Sequence, residues 1–268
     1  YFPPKTFGGG EIGAQALAKA LSENKIEVIV LTSRFKDLKN YEEIDKIKIY
    51  RLLKSGLNPR SILSNLKRTI VFQKSVKKEI KRLYKKEKFD ILHFLNTTSI
   101  VNVNLKIPKI ATINSYSNFC PKGNLFYKEK EVCSGPEFKK CSSCIKNSSY
   151  IGKMKNKFYL KYNPLFWFYS YSQFKKRNNS LNYVDSFIAI SEFIKQNLIK
   201  NNVNEEKIHL IPNITLIEDN NLKFPIKEKG IKISYLGTLD KIKGVELLIK
   251  SFNMLKNKAS LLIFGDGP

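Results

Sequence analysis

Cys120, Cys133, Cys141 and Cys144 fall within twenty-five residues, in the spacing C-x12-C-x7-C-x2-C, and the chain has no other cysteine. Four thiolates complete the tetrahedral shell of a zinc ion, and a turn joining Cys141 to Cys144 is a usual half-site. The surrounding sequence is rich in Gly, Pro and Lys, as a small insertion without its own core would be. Nearby lysines also favour the ionised thiol. Two disulfides, an iron–sulfur cluster or four unlinked thiols answer the same spacing; a cytosolic setting disfavours disulfides.

Two other segments have the chemistry of anion binding. Phe7-Gly8-Gly9-Gly10-Glu11 opens a helical pattern. Glycines let backbone amides approach a ligand closely, and a helix start favours negative charge, so a diphosphate suits it. It is not the dinucleotide pattern G-x-G-x-x-G, and a glycine-rich turn is more often only a turn. The second segment runs from Tyr235 through Gly237-Thr238-Leu239-Asp240 to Lys243-Gly244-Val245-Glu246: a strand end, a loop, then a helix. A lysine at that place can neutralise phosphate charge, although taken alone the loop more often holds only a solvent lysine near a helix start. The two histidines, His93 and His209, sit inside apolar strand patterns and read as satisfied core or strand-end residues rather than ligands.

Short β-branched runs at residues 27–32, 46–50, 89–95, 109–113, 186–190, 207–211, 232–236 and 260–264 alternate with helical patterns at 11–23, 62–86, 192–201 and 245–255. Several runs are continuously apolar, as in strands covered on both faces, and the alternation predicts an α/β fold with parallel sheets. Residues 214–230 are polar, contain Pro225 and read as a linker. The expected organisation is residues 1–213 as a Rossmann-like domain with a Cys-rich insertion at about 115–150, and residues 231–268 as the start of a second such domain. That β-α-β start cannot complete a sheet alone, and the first residue is Tyr rather than Met, so a piece of a longer chain is expected, inactive by itself.

The net charge is +25, from 48 Lys and Arg against 23 Asp and Glu. Such an excess favours anionic partners, although Lys, Asn and Ile are all abundant, as compositional drift in an A/T-rich genome would also produce. Arg, the usual bidentate reader of bases, is scarce beside Lys, which weakens a sequence-specific nucleic-acid reading. Residues 62–88 form a basic amphipathic helix pattern: Leu66, Ile70, Val76, Ile80 and Leu83 share one face, with Lys77, Lys78, Lys81, Arg82, Lys85 and Lys86 around the rest. It reads as the solvated face of an outer helix or as a dock on an anionic membrane surface. Residues 150–171 are aromatic-rich, fitting an acceptor-side flap, an interfacial patch or a packed helix. No run is long enough to cross a bilayer, and no signal peptide is visible.

In their order along the chain these segments resemble glycosyltransferase family 4, the large retaining GT-B family. Phe2-Pro3-Pro4 through Gly8-Gly9-Gly10-Glu11, then Val28 to Thr32, is similar to the family's opening. Ile190-Ser191-Glu192-Phe193 and Leu210-Ile211-Pro212-Asn213 are similar to its end-of-domain signature. Leu236-Gly237-Thr238-Leu239, Lys243-Gly244-Val245 and Gly265-Asp266-Gly267-Pro268 are similar to the start of its donor domain. The resemblance implies a GT-B fold of two Rossmann-like domains, the second incomplete here, and transfer of a sugar from a nucleotide diphosphate sugar to a glycan or lipid-linked acceptor with retention. No metal would be required for catalysis; zinc would be structural.

It also implies residue roles. Gly8 and Gly9 would face the donor diphosphate, with Thr238 and Gly244 in the same donor loop, and Lys243 would be the phosphate-binding lysine. Glu11, Ser191 and Asn213 would lie at the domain junction. The family usually has Arg where Thr238 stands, Gly where Ile214 stands, and His where Asn114 stands; Asn114 keeps a hydrogen bond but has no proton to transfer. The expected place is the cytoplasm, peripheral at the inner membrane face, in cell-envelope polysaccharide or glycoconjugate synthesis. The alternative is a non-catalytic, degenerate GT-B module whose basic face binds nucleic acid or acidic glycan.

Overall fold

The computed structural model describes residues 1–6, 8–55, 62–148, 161–214, 230–255 and 259–267, and within 62–70 the backbone only. The expected linker lies almost wholly outside the described residues, as do Phe7, Pro268, most of the aromatic stretch before Lys161, and the side chains of Leu66 and Ile70.

The chain is α/β, as the alternation predicts. Helix α1 (Gly9–Glu23) buries Ala16 and Ala18, small residues that let it lie close to the strands beneath. Strand β1 (Val28–Ser33) pairs in parallel with β3 (Ile47–Leu53), and β2 (Tyr41–Ile44) pairs antiparallel with β3. Asp45 and Lys46 both have positive φ, 52° and 63°, the conformation a two-residue hairpin requires.

The second sheet is wholly parallel, in the order β4 (Leu92–Phe94), β5 (Lys109–Ile113), β8 (Ser186–Ala189), β9 (Ile208–Leu210). The Rossmann-like part therefore carries two sheets, β1–β3–β2 and β4–β5–β8–β9, joined through a helix rather than by hydrogen bonds between strands. That helix is α2 (Ile62–Glu87). Its Phe72, Val76 and Ile80 lie in one buried cluster with Leu53 of β3 and with Phe94, Ala111, Ile113 and Phe187 of the second sheet. Val76, Ile80 and Leu83 are buried and Lys77, Lys78, Lys81, Arg82, Lys85 and Lys86 are exposed, as the amphipathic pattern predicts.

Between β5 and β8 comes the Cys-rich segment. It contains a two-residue ladder of β6 (Phe126–Tyr127) and β7 (Glu131–Val132), then helix α3 (Phe138–Lys146). Helix α4 (Pro164–Asn179) follows. Its start is set by Pro164 and by Asn163, whose side chain accepts from the Leu165 amide. Helix α5 (Glu192–Lys200) connects β8 to β9. The last described part is a β-α-β unit in which β10 (Ile231–Leu236) and β11 (Ala259–Phe264) are parallel and α6 (Val245–Phe252) lies between them in sequence.

Candidate functional site

In a parallel sheet, the loops at the carboxyl ends of the strands form the ligand-binding rim. Several predicted site residues sit on that rim. Asn114 follows β5 directly, is exposed, and donates from Nδ2 to the Leu95 carbonyl just past β4, at 3.3 Å. Ser191 follows β8 and caps α5, its hydroxyl accepting from the Ile194 amide at 3.4 Å. The Tyr116 ring meets the Phe193 ring edge-on at 5.6 Å, which brings the Asn114 loop against the start of α5. Asn213 lies exposed beyond β9.

Helix α1 reaches the corresponding end of the first sheet. Its carboxyl end joins β1 within a few residues, and fifteen helical residues span about as far as a six-residue strand, both roughly 20 Å. Its amino end thus stands by the carboxyl ends of β1 and β3. A hydrogen bond from β3 fixes this: Nη2 of Arg51 donates to the Pro3 carbonyl at 2.9 Å. Arg51 is 1% exposed; its Nη1 lies 2.6 Å from Glu42 Oε1, off the hydrogen-bonding axis, and its Nε finds no hydrogen-bond partner among the described residues. Phe2 packs beside it on Ala18, Ile47 and Ile49. Nothing in the motifs singles out Arg51; an arginine inside the apolar run Ile49-Tyr50-Arg51-Leu52-Leu53 is the one signal that was present.

Gly8 caps α1 with an extended backbone (φ −176°) that any residue adopts. A Cβ placed on Gly8 would come no nearer than 3.9 Å to another group, and on Gly9 or Gly10 would meet nothing within 4 Å. Neither backbone strain nor packing demands glycine at these positions. Glu11 is half-buried in the first turn of α1, where its carboxylate suits the positive helix end.

A hydroxyl cluster that the sequence does not reveal lies under the Asn114 loop. Buried Thr97 is 2.7 Å from the Ser117 hydroxyl and 3.3 Å from that of Ser115, and the two serines are 3.1 Å apart. On β4, the half-buried His93 contacts the Thr112 hydroxyl of the neighbouring β5 through Nε2 at 2.8 Å, and desolvation lowers its pKa. His209 is exposed on β9.

In the β10–β11 unit the loops after the two strands are clasped. The Gly237 amide donates to the Phe264 carbonyl and the Leu239 amide to the Asp266 carbonyl, at 3.0 and 2.9 Å. A Cβ on Gly265 would lie 1.9 Å from the Gly237 oxygen, so only glycine fits. Thr238 is exposed, and its carbonyl accepts from the Tyr235 hydroxyl at 2.9 Å. Asp240 caps the Lys241–Lys243 turn, accepting from the Ile242 amide, and leaves Lys243 exposed; Gly244, at φ 74°, turns the chain into α6.

The four thiols converge. Cys120, Cys133, Cys141 and Cys144 line one pocket with Lys122, Phe126, Lys140 and Ile145. All four are free, and all but the half-buried Cys133 are buried. Burial, and after it the neighbouring Cys120, push the Cys141 thiol up to about 12. Among the described residues, no three His, Cys, Asp or Glu side chains stand in closed metal-coordination geometry. The thiols share a pocket without closing on one point. At the entry to this segment Arg177 of α4 donates from Nε to the Ser117 carbonyl at 2.9 Å, Asn118 donates to the Arg177 carbonyl at 2.7 Å, and Asn178 donates to the Asn118 carbonyl at 3.1 Å. Burial lowers the pKa of Arg177. These contacts clamp the Asn114–Cys120 loop onto α4.

Two α/β units, each built on parallel strand pairs with loops at the strands' carboxyl ends, have the architecture of the GT-B fold. The model of Glycosyltransferase Family 4 matches residues 7–215, and the chain belongs to that family. Among solved structures, the chain is similar to sucrose-phosphate synthase from Thermosynechococcus elongatus (TM-score 0.56, 14% identity, 96% of this chain and 57% of that one). It is also similar to the lipopolysaccharide outer core galactosyltransferase WaaB in its apo form (TM-score 0.51, 15% identity, 97% and 58%). A third similar structure is the glycosyltransferase of kitacinnamycin (TM-score 0.50, 11% identity, 98% and 63%). At these identities the likeness is one of fold, and the chain spans 57–63% of the length of these structures. No curated protein matches the chain.

Proposed function

We propose that the protein transfers a sugar from a nucleotide diphosphate sugar to a glycan or lipid-linked acceptor, with retention, in cell-envelope polysaccharide or glycoconjugate synthesis. The observation that carries this reading is the amino end of α1. Three successive glycines stand there where the fold has room for side chains, which leaves their backbone open to an approaching ligand. Their amides and the helix dipole suit a diphosphate.

The departing nucleotide diphosphate gains negative charge in the transition state, and fixed amides and a cation stabilise it. Gly8 and Gly9 supply the amides in this reading, and Lys243 the cation. Thr238 adds a hydroxyl in place of a charge, and Gly244 lets the backbone turn beside the phosphate. Asn114 orients the donor sugar by hydrogen bonding, and Glu11, Ser191 and Asn213 border the junction. The exposed basic face of α2 then meets an anionic membrane surface at the cytoplasmic side, where lipid-linked acceptors are held. Among the described residues no helix is long and apolar enough to cross a membrane.

Calorimetric titration of the intact protein with nucleoside diphosphates tests the reading. Binding that falls at least tenfold on Lys243→Ala supports it; no heat with any nucleoside diphosphate or its sugar overturns it. Proton NMR of the product anomer then checks retention.

A further inference from the structure

We infer that Cys120, Cys133, Cys141 and Cys144 form a tetrathiolate zinc site that holds the insertion between β5 and α4 in place. The four ligands come from three separate stretches of chain: one from the end of the clamped loop, one just past β7, and two from a single face of α3. They are the only cysteines of the protein, and they line the same pocket.

The segment they join has little else to hold it. Its ladder has two residues per strand and its helix nine, and among the described residues its buried apolar side chains besides the thiols are Phe119, Leu125 and Ile145. Elements of that size do not fold independently without a staple, and metal binding to four converging cysteines supplies one.

One backbone amide already addresses a sulfur of the set. The Lys128 amide donates to Cys144 Sγ at 3.2 Å, the kind of bond that orients and stabilises a coordinating thiolate. The Cys133 and Cys144 thiols point instead at the carbonyls of Gly135 and Phe126, at 3.4 and 3.8 Å, which accounts for the open arrangement of the four sulfurs. On metal binding each thiol loses its proton to solvent, exchanging a weak sulfur–carbonyl contact for a Zn–S bond of about 2.3 Å. Lys122 and Lys140 in the pocket wall offset the net negative charge of four thiolates around one divalent ion. Cys120 is two residues from Asn118, so the same ion would brace the loop that carries Asn114.

The test is metal analysis of the intact protein purified without chelator. One zinc per chain by mass spectrometry is expected, with all four thiols unreactive to a disulfide reagent until a mercurial or chelator releases the metal. Cobalt exchanged into the site should give the charge-transfer and ligand-field bands of a tetrahedral four-thiolate complex. Cys141→Ser with Cys144→Ser should abolish both signals. Because that variant risks misfolding, Cys133→His is the control: it keeps four ligands, so stoichiometric binding should persist with cobalt bands shifted toward a three-sulfur, one-nitrogen site. Four freely reactive thiols after incubation with zinc, two disulfides, or an iron–sulfur chromophore would each overturn the assignment.

Discussion

Replacing Arg51 with methionine should loosen the strap that leads into the Gly8–Gly10 turn. The substitution keeps the aliphatic bulk that fills the space between Phe2 and β3 and removes the guanidinium. What is lost is the charged hydrogen bond to the Pro3 carbonyl, on the order of 1.5–3 kcal/mol for a bond to an ionised donor. The Glu42 pair adds little, because the Glu42 side chain is 27% exposed and rehydrates when its partner goes. Against this stands relief: a guanidinium 1% exposed, with Nε unbonded and Nη1 poorly aligned, carries an uncompensated desolvation cost that methionine does not. The difference is a net loss of about 1–2 kcal/mol. For a domain of this size that lowers the Tm by roughly 2–8 °C. Thermal unfolding followed by circular dichroism measures it. A Tm equal to or above that of the parent would show that the relief outweighs the bond and would refute the assigned role.

Three further outcomes follow from the same geometry. Glu87 accepts from the Tyr50 hydroxyl at 2.5 Å and from Lys48 at 3.0 Å, and these bonds hold its pKa below the usual value of 4.5. A depressed carboxyl contributes stability above its unfolded pKa and loses it as pH falls through the folded one. Glu87→Gln should therefore cost about 1 kcal/mol at neutral pH and nothing in strong acid, and parallel denaturation curves at all pH values would sink the idea. Gly9→Ala should leave the Tm unchanged or higher, since a Cβ there meets nothing, yet weaken nucleotide-sugar binding in the intact protein by tenfold or more, about 1.4 kcal/mol; unaltered affinity would contradict the open-backbone argument. Gly265→Ala should part the loops after β10 and β11, and native-state hydrogen exchange should show protection lost at the Gly237 and Leu239 amides; intact protection would mean the collision is absorbed elsewhere.

The central strands and long helices were legible because burial leaves short β-branched runs and helical periodicity in the sequence, as at Lys109–Ile113, whose Ala111 and Ile113 are fully buried. β2 was not. Tyr41-Glu42-Glu43-Ile44 is half charged and becomes a strand only through pairing with β3, where the Tyr41 ring lies 4.8 Å from that of Tyr50 and Lys86 sits over both. Helix α3 is hidden for a related reason: its buried side is made of Cys141, Cys144 and Ile145, and a stripe in which two of three residues are cysteines has the spacing of a metal half-site as well as of a helix. The predicted strand 89–95 shortens to Leu92–Phe94, and the predicted helix 245–255 ends at Phe252 in the tighter turn Asn253–Leu255. Around the candidate site, the helix starts at Gly8–Gly9 and Ser191 and the turn at Lys243 were legible because caps and turns leave local patterns. The Thr97–Ser115–Ser117 hydroxyls and the Arg177 clamp were not, since they join residues far apart in sequence whose types alone say nothing about pairing.

The parallel pairing of β5 with β8 has a cost in time as well as in topology. Roughly seventy residues separate the two strands, so at 5–20 residues per second β5 leaves the ribosome several seconds before its neighbour is made. Throughout that interval Ala111 and Ile113, wholly shielded in the finished protein, face solvent on a strand with one bare edge. Synthesis of this chain thus has a built-in window of stickiness. Its yield should therefore respond to how fast the stretch between the two strands is translated.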